Sequence, residues 1–222
     1  QKESPDVIGL QEAMKCQLDY IDYTCPEYAH VGEDRDGGIE GGETMAIYYR
    51  KEKFDLLDHG TFWLSESPDI VSRGWDAACN RTVTWVKLKL KGNNKSFYYF
   101  NTHLDHVGKQ ARANGLALIV DRIAEINPEG YPMVLTGDFN VKPDDPCLTG
   151  LDARMKSTRK IAAKTDSHHT YNGWGKASKD MVIDYIYISG FSACPEYQTV
   201  TKKYSGRTFI SDHYPITARL IF

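Results

Sequence analysis

The sequence predicts an α/β fold built on a mixed β-sheet, and three observations carry that expectation. Short apolar runs rich in Val, Ile, Tyr and Phe recur along the 222 residues. Turn signals separate several of these runs, which favours antiparallel pairing. One long stretch with helical spacing falls between two of them. A two-sheet sandwich flanked by helices fits this order, read as one domain over residues 1–222.

In chain order, "DVIGL" (6–10) follows Pro5 and reads as a buried strand. "EAMKCQLDYIDYT" (12–24) sets Met14, Leu18 and Ile21 at helical spacing. "GEDRDGGIEGGE" (32–43), rich in Gly and acids, reads as a mobile surface loop. Residues 44–65 suggest two strands around the charged turn "RKEK". In "NRTVTWVKLKL", Val86, Leu88 and Leu90 alternate with Trp85, Lys87 and Lys89, the pattern of a half-exposed strand. The turn "KGNNK" then leads into "SFYYFNTHL", which makes this pair a hairpin.

Residues 107–126 form the clearest helix, with Ala113, Leu116, Val120 and Ile123 as its apolar stripe and "NPEG" as its stop. "YPMVLTGDFN" follows as a strand, and the Pro- and Asp-rich "VKPDDPCLTGLDARM" as a loop with one short helix. "MVIDYIYISG" (181–190) is a strand by its β-branched and aromatic content. "EYQTVTKKY" and the closing "YPITARLIF" complete the set.

Composition narrows the function classes. Net charge is −3, so no global basic field draws in polyanions, although a local cluster can still hold a phosphate. No apolar run approaches the roughly 20 residues that span a bilayer. The five cysteines include no CxxC pair, which argues against a structural zinc site. At least one thiol is free or bonded to another molecule. The chain opens without Met and shows no signal peptide. A soluble monomer is expected, either cytoplasmic or exported after removal of an N-terminal segment.

Five apolar strands carry a polar residue at an end or within them. Glu12 ends "PDVIGLQE", His103 ends "FYYFNTHLDH", and Asp138 and Asn140 end "YPMVLTGDFN". Asp184 interrupts "MVIDYIYI", and Asp212 and His213 precede the last strand in "SDHYPI". Singly, each has an ordinary reading as a turn, a cap or a solvated strand end. Together they suit one pocket where strands leave a sheet. Glu12 and Asp212 are hard oxygen ligands for Mg²⁺ or Mn²⁺. His103 and His213 can donate to phosphoryl oxygens. Asp138 can take a proton from water, Asn140 can orient that water or a phosphate oxygen, and Asp184 can hold a histidine in one tautomer. These are the parts for metal-assisted hydrolysis of a phosphate ester.

The stretches "PDVIGLQE", "NTHLDH", "TGDFN", "IDYIYI" and "SDHYPI" resemble, in that order, the endonuclease/exonuclease/phosphatase superfamily. "TFWLSESPD" and "SRGWDAACNR" look like its branch of small bacterial members near the deadenylase-like group. The resemblance implies a four-layer α/β/β/α sandwich of two mixed sheets and Mg²⁺-dependent in-line attack of water. It implies Glu12 as the principal metal ligand and Asp212 as an added metal-site or water-positioning acid. Asp138 becomes the water-activating group, Asn140 a phosphate or water contact, His213 a phosphate contact oriented by Asp184, and His103 a contact to the scissile phosphate. Arg81 adds positive charge to the pocket. Trp75 and Trp174 are either a stacking wall for a base or sugar or ordinary half-buried aromatics.

The resemblance further implies a preceding strand with a metal-proximal Asn and then a helix, and by that reading the strand and most of the helix, about 30 residues by what such elements need, are expected to be missing from this sequence. Exposed sheet donors are the expected consequence. The substrate expected is a phosphate ester: nucleic acid, nucleotide or phospholipid headgroup. The leading expectation is a phosphodiesterase or nuclease-like enzyme. The alternatives are a phosphomonoesterase or lipid-headgroup phosphatase, favoured by the acidic balance, and a catalytically silent binding module that keeps the fold.

Overall fold

Alternation of side chains along the central strands decides what each face packs against. The computed structural model describes residues 3–38 and 41–222. Its first half comprises β1 (Val7–Gly9), β2 (Ala13–Met14), α1 (Lys15–Thr24), β3 (Tyr28–Val31), β4 (Glu43–Thr44), β5 (Ile47–Arg50), β6 (Phe54–Trp63), β7 (Thr82–Leu90) and β8 (Ser96–His103). Then follow α2 (Lys109–Ile126), β9 (Met133–Asp138), α3 (Thr149–Arg154), β10 (Lys156–Ser157), α4 (Thr158–Ile161), β11 (Asp184–Ser189), β12 (Ala193–Thr199) and β13 (Ile216–Ile221).

Six strands form the central sheet in the order β10-β11-β9-β8-β7-β6. Neighbours run antiparallel except β8 and β9, which are parallel. A parallel pair needs a crossover, and α2 supplies it. On one face, Tyr98, Phe100, Leu135, Tyr185 and Tyr187 pack with Leu116, Ile119 and Ile123 of α2 and Leu151 of α3. On the other, Val86, Leu88, Phe97, Tyr99, Val134, Ile186 and Ile188 meet Ile47 and Tyr49 of a second sheet, β1-β5-β3. That sheet's outer face, with Ala46 and Tyr48, packs on Leu18 of α1. The layers are therefore helix, sheet, sheet, helix, as expected. β12 and β13 form a separate two-stranded piece packed on the inter-sheet core. Among the described residues, β1 pairs only with β5 and β13 only with β12.

Several sequence expectations shift. The two strands expected around "RKEK" are present but lie in different sheets, β5 in the second and β6 in the central one, so the turn carries the chain between layers. The buried stripe of α2 is Ala111, Gly115, Leu116, Ile119 and Ile123. Ala113 is exposed and Val120 only half-buried, because the helix leans on the sheet one position away from the predicted line. Asp184 opens β11 rather than interrupting it. All five cysteines are free. Residues 32–43 are anchored by a bridge from Asp34 to Thr44 and by pairing of β2 with β4, with positions 39 and 40 outside the described residues. Among the described residues, no helix is long and apolar enough to cross a membrane.

Two contacts clamp the sheets together at one end. Asn101 of β8, fully buried, donates from Nδ2 to the carbonyls of Leu10 (2.7 Å) and Ala46 (3.2 Å) in the opposing layer. Its Oδ1 accepts from Gln11 Nε2 (2.6 Å) and Thr136 Oγ1 (3.0 Å). Gly9 lies against this knot, where an added Cβ would come within 2.5 Å of Asn101 Oδ1 and Thr136 Oγ1. Only a residue without a side chain lets the layers approach so closely.

Candidate active site

The site grows out of strand register. Because β8 and β9 are parallel, both end at the same edge, and His103 pairs directly with Asp138. Antiparallel β11 begins at that edge and sets Asp184 opposite Asp138. Parity then aims all three the same way. Phe97, Tyr99, Asn101 and His103 share one face of β8, as do Val134, Thr136 and Asp138 on β9 and Ile188, Ile186 and Asp184 on β11. That face looks between the sheets. The inter-sheet core is apolar along most of its length and turns polar at its last rung.

His103, Asp138 and Asp184 are buried. Asn140, in a left-handed conformation (φ 51°), donates from Nδ2 to His103 Nε2 (3.1 Å) and to the Leu104 carbonyl (2.9 Å). Its backbone N–H donates to Asp138 Oδ1 (2.8 Å). His103 Nε2 thus accepts, and the ring proton belongs on Nδ1. Burial, with Arg81 and His213 nearby, holds this imidazole well below its usual range and therefore neutral. Its Nδ1 is buried without a hydrogen-bond partner, 3.9 Å from Glu12 Oε1.

His213 completes the arc. Its Nδ1–H donates to both oxygens of Asp184 (3.0 and 2.9 Å), and its Nε2 lies 3.7 Å from Asp138 Oδ2. Burial disfavours the imidazolium, but the Asp184 bond and the charges of Asp184, Asp138 and Asp212 outweigh it, raising the ring to about 9. Burial and the neighbouring Asp184 raise Asp138 to about 7, against the pull of His213. The Tyr171 and His213 rings pack at a steep angle with their centroids 5.0 Å apart.

The remaining predicted residues border this centre. Glu12 stands between β1 and β2 in a left-handed conformation (φ 56°), and its exposed side chain lies beside His103. Asp212 lies next to His213; its side chain accepts from Ser211 Oγ (3.3 Å) and its carbonyl from the N–H groups of Asn172 and Gly173. Arg81 is buried, with Nε on Asp105 (3.4 Å), Nη2 on His106 Nδ1 (3.0 Å) and Nη1 unpartnered. Its charge acts on His103, Asp138 and Glu43. Trp75 is half-buried and Trp174 is 57% exposed, and both are left-handed (φ 49° and 58°). Among the described residues seven non-glycine positions have φ in that region, and Glu12, Trp75, Asn140 and Trp174 are four of them. Strained backbone of this kind gathers at functional sites.

Sequence reasoning missed Glu43 and Arg35. Carboxylate oxygens of Glu12 and Glu43 and a ring nitrogen of His103 lie within 4.8 Å of one another. Arg35 Nη1 donates to Glu43 Oε2 (2.5 Å). Both sit in the loop whose composition read as plain surface; the acid two residues ahead of the apolar "MAIYY" was the available signal. A similar grouping of Cys79, Asp105 and His106 is structural. Asp105 is saturated by Arg81 and by the N–H groups of Ala78, Val107 and Gly108, which keep it ionised despite its burial.

An α/β/β/α sandwich with acids and imidazoles gathered at the open end of its inter-sheet core belongs to the phosphoesterase class of folds. The chain is a member of the endonuclease/exonuclease/phosphatase family, whose model matches residues 1–213. Members of that family are phosphoesterase hydrolases. The mannosyl-6-phosphatase Bt3783 of Bacteroides thetaiotaomicron is 32% identical, with a TM-score of 0.93 over 100% of this chain and 87% of its own. An endonuclease/exonuclease/phosphatase protein from Bacteroides vulgatus is 35% identical, with a TM-score of 0.91 over 99% of this chain and 85% of its own. D. rerio TDP2, in complex with a single-strand DNA product, shares the fold at 17% identity, with a TM-score of 0.77 over 97% of this chain and 85% of its own.

Proposed function

We propose that the protein is a divalent-metal-dependent phosphomonoesterase acting on small phosphorylated compounds of the sugar-phosphate class. The observation that carries the hydrolytic reading is the row His103, Asp138 and Asp184, with His213 bridging the two acids. A hydrated Mg²⁺ or Mn²⁺ fits the residues present: Glu12 offers a hard oxygen, and the orphaned N–H of His103 beside it calls for an acceptor such as a water or phosphoryl oxygen. Glu12 and Asp212 would hold the ion. When bound, it supplies positive charge against the phosphoryl oxygens.

The chain's own groups do the rest. Asp138, poised near neutrality, accepts the proton of the attacking water, and Asn140 keeps that carboxylate and the water in place. His103 Nδ1–H and protonated His213 donate to the charge developing on phosphorus-bound oxygens. Asp184 orients the His213 ring through its Nδ1–H and sustains its positive charge. Arg81 adds a fixed cation behind His103.

Two features favour a small monoester. A neighbour about a third identical over the whole chain is a mannosyl-6-phosphatase. The net charge of −3 supplies no global basic field of the kind that draws in a polyanionic strand. The diester reading draws on Trp174, an exposed ring next in sequence to Gly173, whose N–H donates to the Asp212 carbonyl; a ring of this kind can stack on a base.

Release of phosphate from hexose 6-phosphates, p-nitrophenyl phosphate, bis-p-nitrophenyl phosphate and single-stranded DNA, with Mg²⁺ or EDTA, tests this. Mg²⁺-dependent turnover of the monoesters, lost in Asp138→Ala, is the expected result. Faster turnover of the diesters would establish the nuclease-like reading instead. No turnover by folded protein would leave a binding module.

A further inference from the structure

We propose that Glu43 is a second carboxylate ligand of the divalent ion, facing Glu12 across the site mouth. The inference rests on the metal-dependent reading above. The first observation is placement. In the short β2–β4 ladder, Ala13 pairs with Thr44 and Met14 with Glu43, so the residues just before and within the two strands are neighbours. Glu12 leaves its strand in a left-handed turn, and its carboxylate comes back toward that of Glu43. Two like charges so close call for a cation between them.

The second observation is independent of the acids. The imidazole of His103, 4% exposed, directs an unpartnered Nδ1 at the same spot. Its N–H needs an acceptor there, and the hydration shell or a phosphoryl oxygen of a bound ion is one. Glu43 is also oriented for the task. Arg35 Nη1 takes Oε2, and the other carboxylate oxygen is left for a ligand. Supporting hydrogen bonds of this kind commonly fix ligating carboxylates. Asn80 in turn donates to the Arg35 carbonyl (3.4 Å) and to Asp36 (2.9 Å), and Trp63 Nε1 donates to the same carbonyl (2.7 Å), tying the loop to the central sheet.

Isothermal titration of the full chain with Mn²⁺ and with Mg²⁺, in the absence of substrate, decides the matter. Wild type is compared with E12Q, E43Q and E43D, each checked for its melting temperature without metal. E43Q keeps an acceptor for Arg35 and is expected to bind at least tenfold more weakly than wild type. E43D keeps the charge but withdraws it by one methylene, and it is expected to weaken binding as well. If E43Q is too unstable to titrate, E43D alone decides by the same criterion. Wild-type affinity in E43Q with weakened binding in E12Q would overturn the role of Glu43 and leave the metal-dependent reading intact. Wild-type affinity in E43D would reduce Glu43 to a distant charge and also overturn the proposal. Absence of binding by wild type would remove both ideas.

Discussion

Asp184 and Asp138 face each other across adjacent strands, and His213 is bonded to the first at 2.9 Å and lies 3.7 Å from the second. The imidazole is therefore shared by two carboxylates, one holding its Nδ1–H and the other near its Nε2.

Replacing Asp184 with Asn should uncouple that arrangement. Without the carboxylate, burial dominates and the pKa of His213 falls from about 9 toward or below that of an ordinary histidine. The alkaline limb of the kcat profile should move down by ~2 pH units, and kcat at neutral pH should fall on the order of 10²-fold. A profile with an unmoved alkaline limb would show that His213 does not need to be protonated.

Stability without metal should decline as pH rises. The pKa of His213 is raised to about 9, so its contribution is complete below the unfolded value of roughly 6.5 and lost through about 9. Asp138 has the same sign, because its raised pKa favours the neutral form in the folded state and penalises ionisation as pH climbs toward about 7. Melting of chelator-treated protein between about pH 6 and 9 should show a falling midpoint, and the Asp184→Asn variant a shallower fall. A midpoint that rises over this range would contradict the assignment.

Asn101→Leu should cost about 2–4 kcal/mol, because the carbonyls of Leu10 and Ala46 and the amide of Gln11 lose a buried partner. Urea unfolding measures this. The same change should weaken divalent-ion binding, since the lost clamp joins the layer carrying Glu12 to the strand carrying His103. Unchanged ion affinity would separate the clamp from the site.

Trp174→Gly should leave the melting temperature unchanged or slightly raised, because glycine adopts φ 58° without strain and the ring is mostly exposed. If the ring stacks on substrate, KM should rise on the order of tenfold, about 1.4 kcal/mol, with kcat little altered. An unchanged KM would make the tryptophan a bystander.

The most legible parts of the sequence were those where local pattern and burial agree. The alternation in residues 82–90 and the "NTH" and "GDFN" strand ends gave β7, β8 and β9, because a sheet buried on its inner face leaves a period-two trace. The buried stripe of α2 was found at Leu116 and Ile123 but missed at Ala111 and Gly115, small residues that make the contact there and carry little hydrophobic signal. β3, "YAHV", was missed because it is short and interrupted by His30. Glu43 and Arg35 escaped notice because their meaning comes from pairing with Glu12, more than 30 positions earlier in the chain, and not from neighbours in sequence.

The single parallel joint in the central sheet has a consequence for what evolution or engineering can alter. Were β9 reversed, Asp138 would lie one strand length away, roughly 20 Å from His103. Were β9 shifted by one residue, its carboxylate would point into the packing under α2 instead. Chemistry here depends on a crossover of suitable length and on counting by twos. Loops at the open end can thus be rebuilt only around Glu12, Glu43, Asn140, Asp212 and His213, whereas a one-residue insertion inside β8, β9 or β11 should abolish the proposed hydrolysis without touching a single reactive side chain.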